Sequence, residues 1–429
     1  MNILRIIIFL FIFSNVYAQG YTSFFTGNST DAITNPEFGI CLMGGSTEND
    51  EAMQWFLNLA DGGDILVLRA SGTDGYNDYM YNAPGVNVNS VETIRIDQSS
   101  GATSPYVLQK ISQAEAIWFA GGDQADYVNF FKDNAVENLL NQHINIKQYP
   151  IGGISAGMAI MGEYYFDALN GTITSAEALS NPFDNRISLG TSDFLDAPFL
   201  ENTITDTHYD NPNREGRHMT FLARLQALDG ERIYGIGIDE FTSVCIDKDG
   251  IANIYGEFPN FNDFAYFIQV NCLDNMTPEN LSANQNLDWN LNQQAVKAYK
   301  VPGVPGGTNQ FDLTTWKNGI GGEWQNWWID QGSFLSQIST PVNCDTFSTQ
   351  DFDAVDVFVY PNPTEDIVHI QSEAELEKIE IFDIKGKKIE VIYTPFTNRS
   401  FKMNAYQKGI YLLKIFSDTQ TQTVKLIKK

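Results

Sequence analysis

The chain has 429 residues with 53 acidic and 26 basic side chains, a net charge of −27. A surface that acidic repels phosphate backbones and argues against nucleic acid as a partner. At 43% hydrophobic and 13% aromatic residues the chain is mostly globular, long enough for two or three domains, and its four cysteines are too few for a disulfide scaffold.

Residues 1–18 read as a secretory signal peptide. Arg5 supplies the positive start, Ile6 to Phe13 the apolar run and Val16-Tyr17-Ala18 the cleavage site, so the mature chain is expected to begin at Gln19. That run is too short to span a bilayer, and no later one is long enough for a transmembrane helix. No cysteine follows the cleavage site, which argues against a lipoprotein anchor.

From Pro36 to Ile160 strand-like and helix-like stretches alternate. Apolar runs at Phe38–Met43, Asp64–Ala70, Val91–Ile96, Ala116–Ala120 and Tyr149–Ile154 predict strands. Ser46–Ala60, Ser104–Glu115 and Gln124 to about Asn141 predict helices. Repeated β-then-α units with continuous apolar strands predict a doubly wound parallel sheet, with its chemistry at the carboxyl ends of the strands. Gly44-Gly45, Gly121-Gly122 and Ser155 all fall at such ends. Cys41 and Cys245 lie in apolar runs and are expected as buried thiols. A Cys272–Cys344 bridge is compatible with an oxidising compartment.

Five of the seven tryptophans, Trp289, Trp316, Trp324, Trp327 and Trp328, lie between Leu287 and Gln337 among Gly, Asn and Gln. They could form a carbohydrate-binding surface. The tendency of aromatics to bury favours packing within an appendage, 276–338, on a catalytic domain, 19–275. Residues 339–353 read as a linker. In 354–429, short alternating runs with turns at Lys385-Gly386 and Lys408-Gly409 predict a small β-sandwich.

Gly153-Ile154-Ser155-Ala156-Gly157 follows a predicted strand and precedes a helix-compatible stretch from Ala156 to Glu163, the context of a nucleophile elbow. The flanking glycines allow a tight turn, and the Ala156 N–H can favour an anion. A serine nucleophile needs a base, and there are four histidines. His369 lies in the β module and His143 in a polar stretch before the Ser155 strand. His208 follows an apolar approach from Phe199 to Thr205 and is the better-placed base, whereas His218 is expected to face solvent or a neighbouring acid. No HExxH, Cys/His cluster or phosphate loop is present, so neither a metal nor an organic cofactor is expected.

Trp118-Phe119-Ala120-Gly121-Gly122-Asp123-Gln124, GGISAGMAIMG, DTHYDNPNREGRH and Gly235-Ile236-Gly237-Ile238-Asp239-Glu240 together resemble the cyanophycinase and aspartyl dipeptidase family of serine peptidases, over residues 36 to 270. That resemblance implies a flavodoxin-like fold related to class I glutamine amidotransferases, with Ser155 as nucleophile and His208 as base. It implies an oxyanion hole from the N–H groups of Gly122 and Ala156, and a pocket bordered by Asp123 and Gln124. Arg214 and Arg217 would grip a substrate carboxylate, or else form structural salt bridges. Asp239 and Glu240 would support the site. For the triad acid the expected position lies between serine and base: Glu177, with Glu163, Asp167 and Asp206 as rivals. Two departures from the family pattern, the Asn211-Pro212-Asn213 spacing and His218, bear on the pocket.

The implied reaction is hydrolysis next to aspartyl residues, of β-Asp-Arg units in a cyanophycin-like polymer or of α-aspartyl or isoaspartyl dipeptides. A non-catalytic surface binding protein on the same fold is the reading of another class. VYPNP, IFDIKGKKI, KGIYLLKI and VKLIKK resemble the C-terminal sorting domain of the Bacteroidetes type IX secretion system. This implies that machinery as a partner, export through periplasm and outer membrane, and a secreted or surface-bound product.

Overall fold

A computed structural model describes residues 19–229, 232–273, 275–340, 342, 344, 357–383, 387–417 and 421–429. The expected signal peptide, 1–18, and most of the expected linker lie outside the described residues. The chain divides into two compact units, Met1–Val342 and Asn343–Lys429.

The first unit begins with β1 (Tyr21–Gly27), β2 (Gly39–Met43), α1 (Asp50–Leu59), β3 (Asp64–Arg69), α2 (Gly75–Asn82), β4 (Ser90–Ile96), α3 (Pro105–Gln113) and β5 (Ala116–Phe119). It continues with α4 (Gln124–Phe131), α5 (Ala135–Gln142), β6 (Ile151–Ile154) and α6 (Ala156–Ala159). Strands β4, β3, β5, β6 and β2 lie side by side in that order, all parallel, with β1 antiparallel on the β4 edge. Alternation along these strands sorts the core. Cys41, Met43, Ile65, Val67 and Trp118 pack with Ala52, Met53 and Phe56 of α1 and Met80 of α2. Ile40, Leu42, Leu66, Leu68, Ile117 and Phe119 face the other way, onto α3, α4 and α5. The sheet is thus wound on both faces, as its continuous apolar strands require.

The single helix expected from Gln124 to about Asn141 is two helices. Asp133 adopts φ 59°, and Asn134 caps α5 through a hydrogen bond from the Val136 N–H. Asp and Asn favour such turns because their short side chains satisfy the local backbone.

The rest of the unit comprises β7 (Tyr164–Phe166), α7 (Ser175–Ser180), β8 (Leu189–Thr191), β9 (Thr203–Asp206), α8 (Glu215–Asp229), β10 (Tyr234–Ile238), β11 (Ser243–Asp247), β12 (Ile251–Tyr255) and β13 (Phe264–Val270). There follow β14 (Val296–Pro302), β15 (Asn309–Asp312), β16 (Gly319–Ile320), β17 (Glu323–Asp330) and β18 (Ser333–Ile338). Strands β11, β12, β15 and β16 extend the first sheet beyond β2, and the others form a second, eight-stranded sheet.

The tryptophan-rich segment is therefore no appendage. It lends three strands to one sheet and two to the other. Trp289, Trp316, Trp327 and Trp328 are buried, because they fill the space around the second sheet beside Phe311 and helix α8. Cys41 and Cys245 face each other across β2 and β11, buried and free, with 3.7 Å between sulfurs. Cys272 and Cys344 are disulfide-bonded.

The second unit contains β19 (Val357–Tyr360), β20 (Ile367–Asp383), β21 (Lys388–Lys402), β22 (Gly409–Ser417) and β23 (Thr421–Lys428). All its strand pairs are antiparallel. Its five strands are hydrogen-bonded in one connected sheet through the long strand β20, whose register shifts between Gln371 and Leu376. Val368 and Ile370 from one half of β20 and Ile379 and Ile381 from the other share a core with Leu413, Ile415 and Leu426.

Candidate active site

Five strand ends meet at the site. Ser155 follows β6, and its N–H donates to the carbonyl of Met43 at the end of β2 (3.1 Å). Its backbone has φ 53° and ψ −118°, a region non-glycine residues rarely enter and one that the surrounding structure must impose. Gly153 and Gly157 allow it: a Cβ on Gly153 would stand 2.6 Å from the Gly157 carbonyl carbon. Helix α6 is one turn, shorter than the expected stretch to Glu163. The turn after β5 brings Gly121 alongside, where a Cβ would lie 3.6 Å from Cβ of Ser155.

His208 follows β9, with its N–H donating to the carbonyl of Gly44 (2.8 Å). Gly45, at φ +138°, has no side chain to displace the imidazole: a Cβ there would come within 2.5 Å of Nε2. The ring stands between two partners. Ser155 Oγ lies 2.7 Å from Nε2, and Glu240 Oε1 lies 2.5 Å from Nδ1. An ionised carboxylate can only accept, so Nδ1 carries the proton and Nε2 is left to accept from the serine hydroxyl. Burial pushes the Glu240 carboxyl up, but hydrogen bonds from His208 and Asn211 outweigh it and hold the pKa below the ordinary value.

Glu240 follows β10, which runs parallel to β9 with Gly237 opposite Asp206. Adjacent parallel strands deliver base and acid to one edge although 32 residues separate them. Glu177 is elsewhere engaged. One of its oxygens closes a capping box with Thr174 at the start of α7, and the other pairs with Arg186. The rival carboxylates are likewise committed: Glu163 to Ser192 and the Asn202 N–H, Asp167 to the Leu169 N–H and Ser188, Asp206 to Arg217. The sequence signal for Glu240 lay in the GIGIDE motif, read only as support.

A cleft of about 390 Å³ opens on Ser155, lined by Gly122, Asp123, Gln124, Ala156, Thr172 and Arg214 among others. Asp123 also caps α4, accepting from the Ala125 N–H. Arg214 donates to the Thr207 carbonyl (2.9 Å) and lies 3.8 Å from Asp206. Burial, then Arg217, lowers its pKa to about 10, so it remains a cation at neutral pH. Arg217 borders the cleft but is buried in a two-pronged pair with Asp206, and it reaches Thr172 Oγ1 and the Ile173 carbonyl (both 3.3 Å). For Arg217 the salt-bridge alternative describes what is seen. His218, expected to face solvent or an acid, is buried between the Tyr209 hydroxyl (3.1 Å) and the Ile204 carbonyl (3.2 Å). On α8 it stands three and four residues before the buried Phe221 and Leu222, on the helix face turned inward, and burial lowers its pKa to about 4. Among the described residues no group of three or more His, Cys, Asp or Glu could hold a metal ion.

A serine, an imidazole and a carboxylate in hydrogen-bonded series, beneath a cleft at the ends of parallel strands, define a serine hydrolase of the α/β class. The model of peptidase family S51 matches residues 40–254, half of the chain, and the chain belongs to that family, a family of serine-type peptidases. The secretion system C-terminal sorting domain matches residues 358–429. The chain is similar to the cyanophycinase of Trichormus variabilis, 27% identical over 167 residues, 39% of this chain and 51% of that one. It is similar to the cyanophycinase of Geminocystis herdmanii, 26% identical over 229 residues, 51% of this chain and 77% of that one. The chain thus spans about half the length of the first of these relatives. A solved peptidase from an acI-B1 Actinobacterium aligns with a TM-score of 0.38 at 12% identity, over 52% of this chain and 89% of that one.

Proposed function

We propose that the protein is an exported serine peptidase that hydrolyses aspartyl peptide bonds, with β-Asp-Arg units of a cyanophycin-like polymer as substrate. The hydrogen-bonded series Ser155–His208–Glu240, at 2.7 and 2.5 Å, carries the mechanism. Ser155 Oγ attacks the scissile carbonyl carbon and its proton passes to His208 Nε2. Glu240 keeps the imidazole in the accepting tautomer and stabilises the imidazolium that forms. The oxyanion is held by the N–H groups of Gly122 and Ala156. Collapse of the tetrahedral intermediate breaks the C–N bond, and His208 returns its proton to the departing amine. Water, deprotonated by the same histidine, then releases the acid from the acyl-enzyme.

Arg214 is the more exposed of the two arginines on the cleft wall and pairs with a substrate carboxylate, since a guanidinium fork suits that geometry. Asp123 and Gln124 border the same pocket. The sorting domain fits export by the type IX secretion machinery of a Bacteroidetes-like bacterium, through periplasm and outer membrane to the surface or medium.

The test is incubation of the purified exported protein with cyanophycin and with panels of Asp-X and β-Asp-X dipeptides, beside Ser155→Ala. Release of β-Asp-Arg by the wild type alone is the expected result. Cleavage confined to dipeptides would make it an α-aspartyl or isoaspartyl exopeptidase. Equal activity of Ser155→Ala would sink the mechanism, and inactivity on every substrate would favour a binding protein.

A further inference from the structure

The segment between base and cleft cation, Tyr209-Asp210-Asn211-Pro212-Asn213, has no part in the mechanism above. It folds into a closed loop. The Asn211 N–H donates to the His208 carbonyl (3.1 Å), the Arg214 N–H donates to the Tyr209 carbonyl (2.9 Å), and Asp210 bridges to Asn213. Two side chains leave this loop for the same residue. Asp210 Oδ1 accepts the main-chain N–H of Glu240 at 2.9 Å, and Asn211 Nδ2 donates to Glu240 Oε2 at 3.2 Å. The oxygen that faces His208 is the other one, Oε1.

We propose that Asn211 is a positioning residue for the acid of the triad: it holds one carboxylate oxygen of Glu240 so that the other lies on His208 Nδ1, while Asp210 fixes the backbone beneath. The inference rests on the Ser155–His208–Glu240 reading. A glutamate bonded through one oxygen alone can swing about its terminal torsion, which is broad and soft. Here the carboxylate is partly open to water, at 15% side-chain exposure, so water competes for both oxygens. A second donor, fixed in a loop anchored to the base itself, defines the carboxylate plane. The loop thus presents the histidine and grips its partner.

The experiment measures the rate at which a fluorophosphonate probe labels Ser155 in the full-length protein. Such a probe reports activation of the serine whatever the natural substrate. Asn211→Ala is expected to slow labelling about 10-fold, the loss of one hydrogen bond to a charged group. Asn211→Asp, the same shape with an acceptor and a negative charge against Glu240, is expected to be at least as slow. In Glu240→Ala, where no carboxylate remains to be held, adding Asn211→Ala is expected to change the rate less than about two-fold. Thermal melting checks that each variant is folded, and the isosteric Asp variant keeps the test decisive should the Ala variant unfold. Wild-type rates in both Asn211 variants with a slow Glu240→Ala would overturn the positioning role alone. So would an equal slowing by Asn211→Ala with and without Glu240. Wild-type labelling by Glu240→Ala would overturn the triad reading and this inference with it.

Discussion

Gly45 and His208 are in contact through the absence of a side chain: a Cβ on Gly45 would stand 2.5 Å from Nε2, the nitrogen that faces Ser155. The backbone there is also at φ +138°, which an L side chain rarely adopts. Gly45→Ala should therefore push the imidazole off its line with the serine. Displacing a catalytic group by about 1 Å can cost 10²-fold. We expect at least that loss in kcat with a native circular dichroism spectrum. Activity within a few-fold of wild type would mean that the ring has another seat.

The two glutamates predict opposite phenotypes. Glu240→Gln keeps the shape but loses the charge that balances the imidazolium, and kcat should fall about 10³-fold. Glu177→Ala removes a helix cap and an ion pair with Arg186, so it should leave kcat and KM within about two-fold and lower the melting temperature slightly. Steady-state kinetics of the two variants, side by side, separates the roles. A large kcat loss in Glu177→Ala would return the acid to its expected place between serine and base.

Arg214 and Arg217 differ in burial and partner. Arg217→Ala strands the buried Asp206 carboxylate, whose pKa is otherwise kept low against its burial by Arg217 and Arg214. Removing one partner of such a pair costs about 3–5 kcal/mol, which chemical denaturation will read. Arg214→Ala should instead raise KM for a carboxylate-bearing substrate more than it lowers kcat. A pure stability defect in Arg214→Ala, with KM unchanged, would remove it from the substrate site.

His143 gives a pH dependence. It is buried, its Nε2 lies 3.0 Å from the Pro150 carbonyl, and burial lowers its pKa to about 3. The folded value lies below the unfolded one, so as pH falls the unfolded chain takes the proton first. The contribution is complete above the ordinary histidine value near 6.5 and is lost as pH falls from there toward 3. The slope is about 1.4 kcal/mol per pH unit, or about 2 kcal/mol between pH 6.5 and 5. In urea unfolding across that range, His143→Gln should show a shallower decline than wild type. Parallel curves would contradict the assignment.

Much of the site was legible because its parts are local. A glycine-flanked serine after an apolar strand marked a candidate nucleophile, His208 was the candidate base among the four histidines in the chain, and the fold brings the two to 2.7 Å. The alternation of strands and helices from Pro36 to Ile160 likewise records a sheet covered on both faces. The tryptophan-rich segment misled because composition reveals burial but not the partner: the same residues suit an appendage core or, as found, strands shared between two sheets.

What the sequence determined by itself was the family, together with the glycine-flanked turn at Ser155 and the histidine that the fold brings beside it, each written in short stretches whose backbone demands fix the residue types. What tertiary structure alone decided was which carboxylate stands beside His208. Glu240 reaches His208 because β9 and β10 run parallel with Asp206 opposite Gly237, and strand neighbourhood of that kind depends on how distant apolar faces pack. No spacing along the chain encodes it. The same packing buried Arg217 against Asp206 and left Arg214 more open on the cleft wall, giving different surroundings to two arginines that look alike in the sequence.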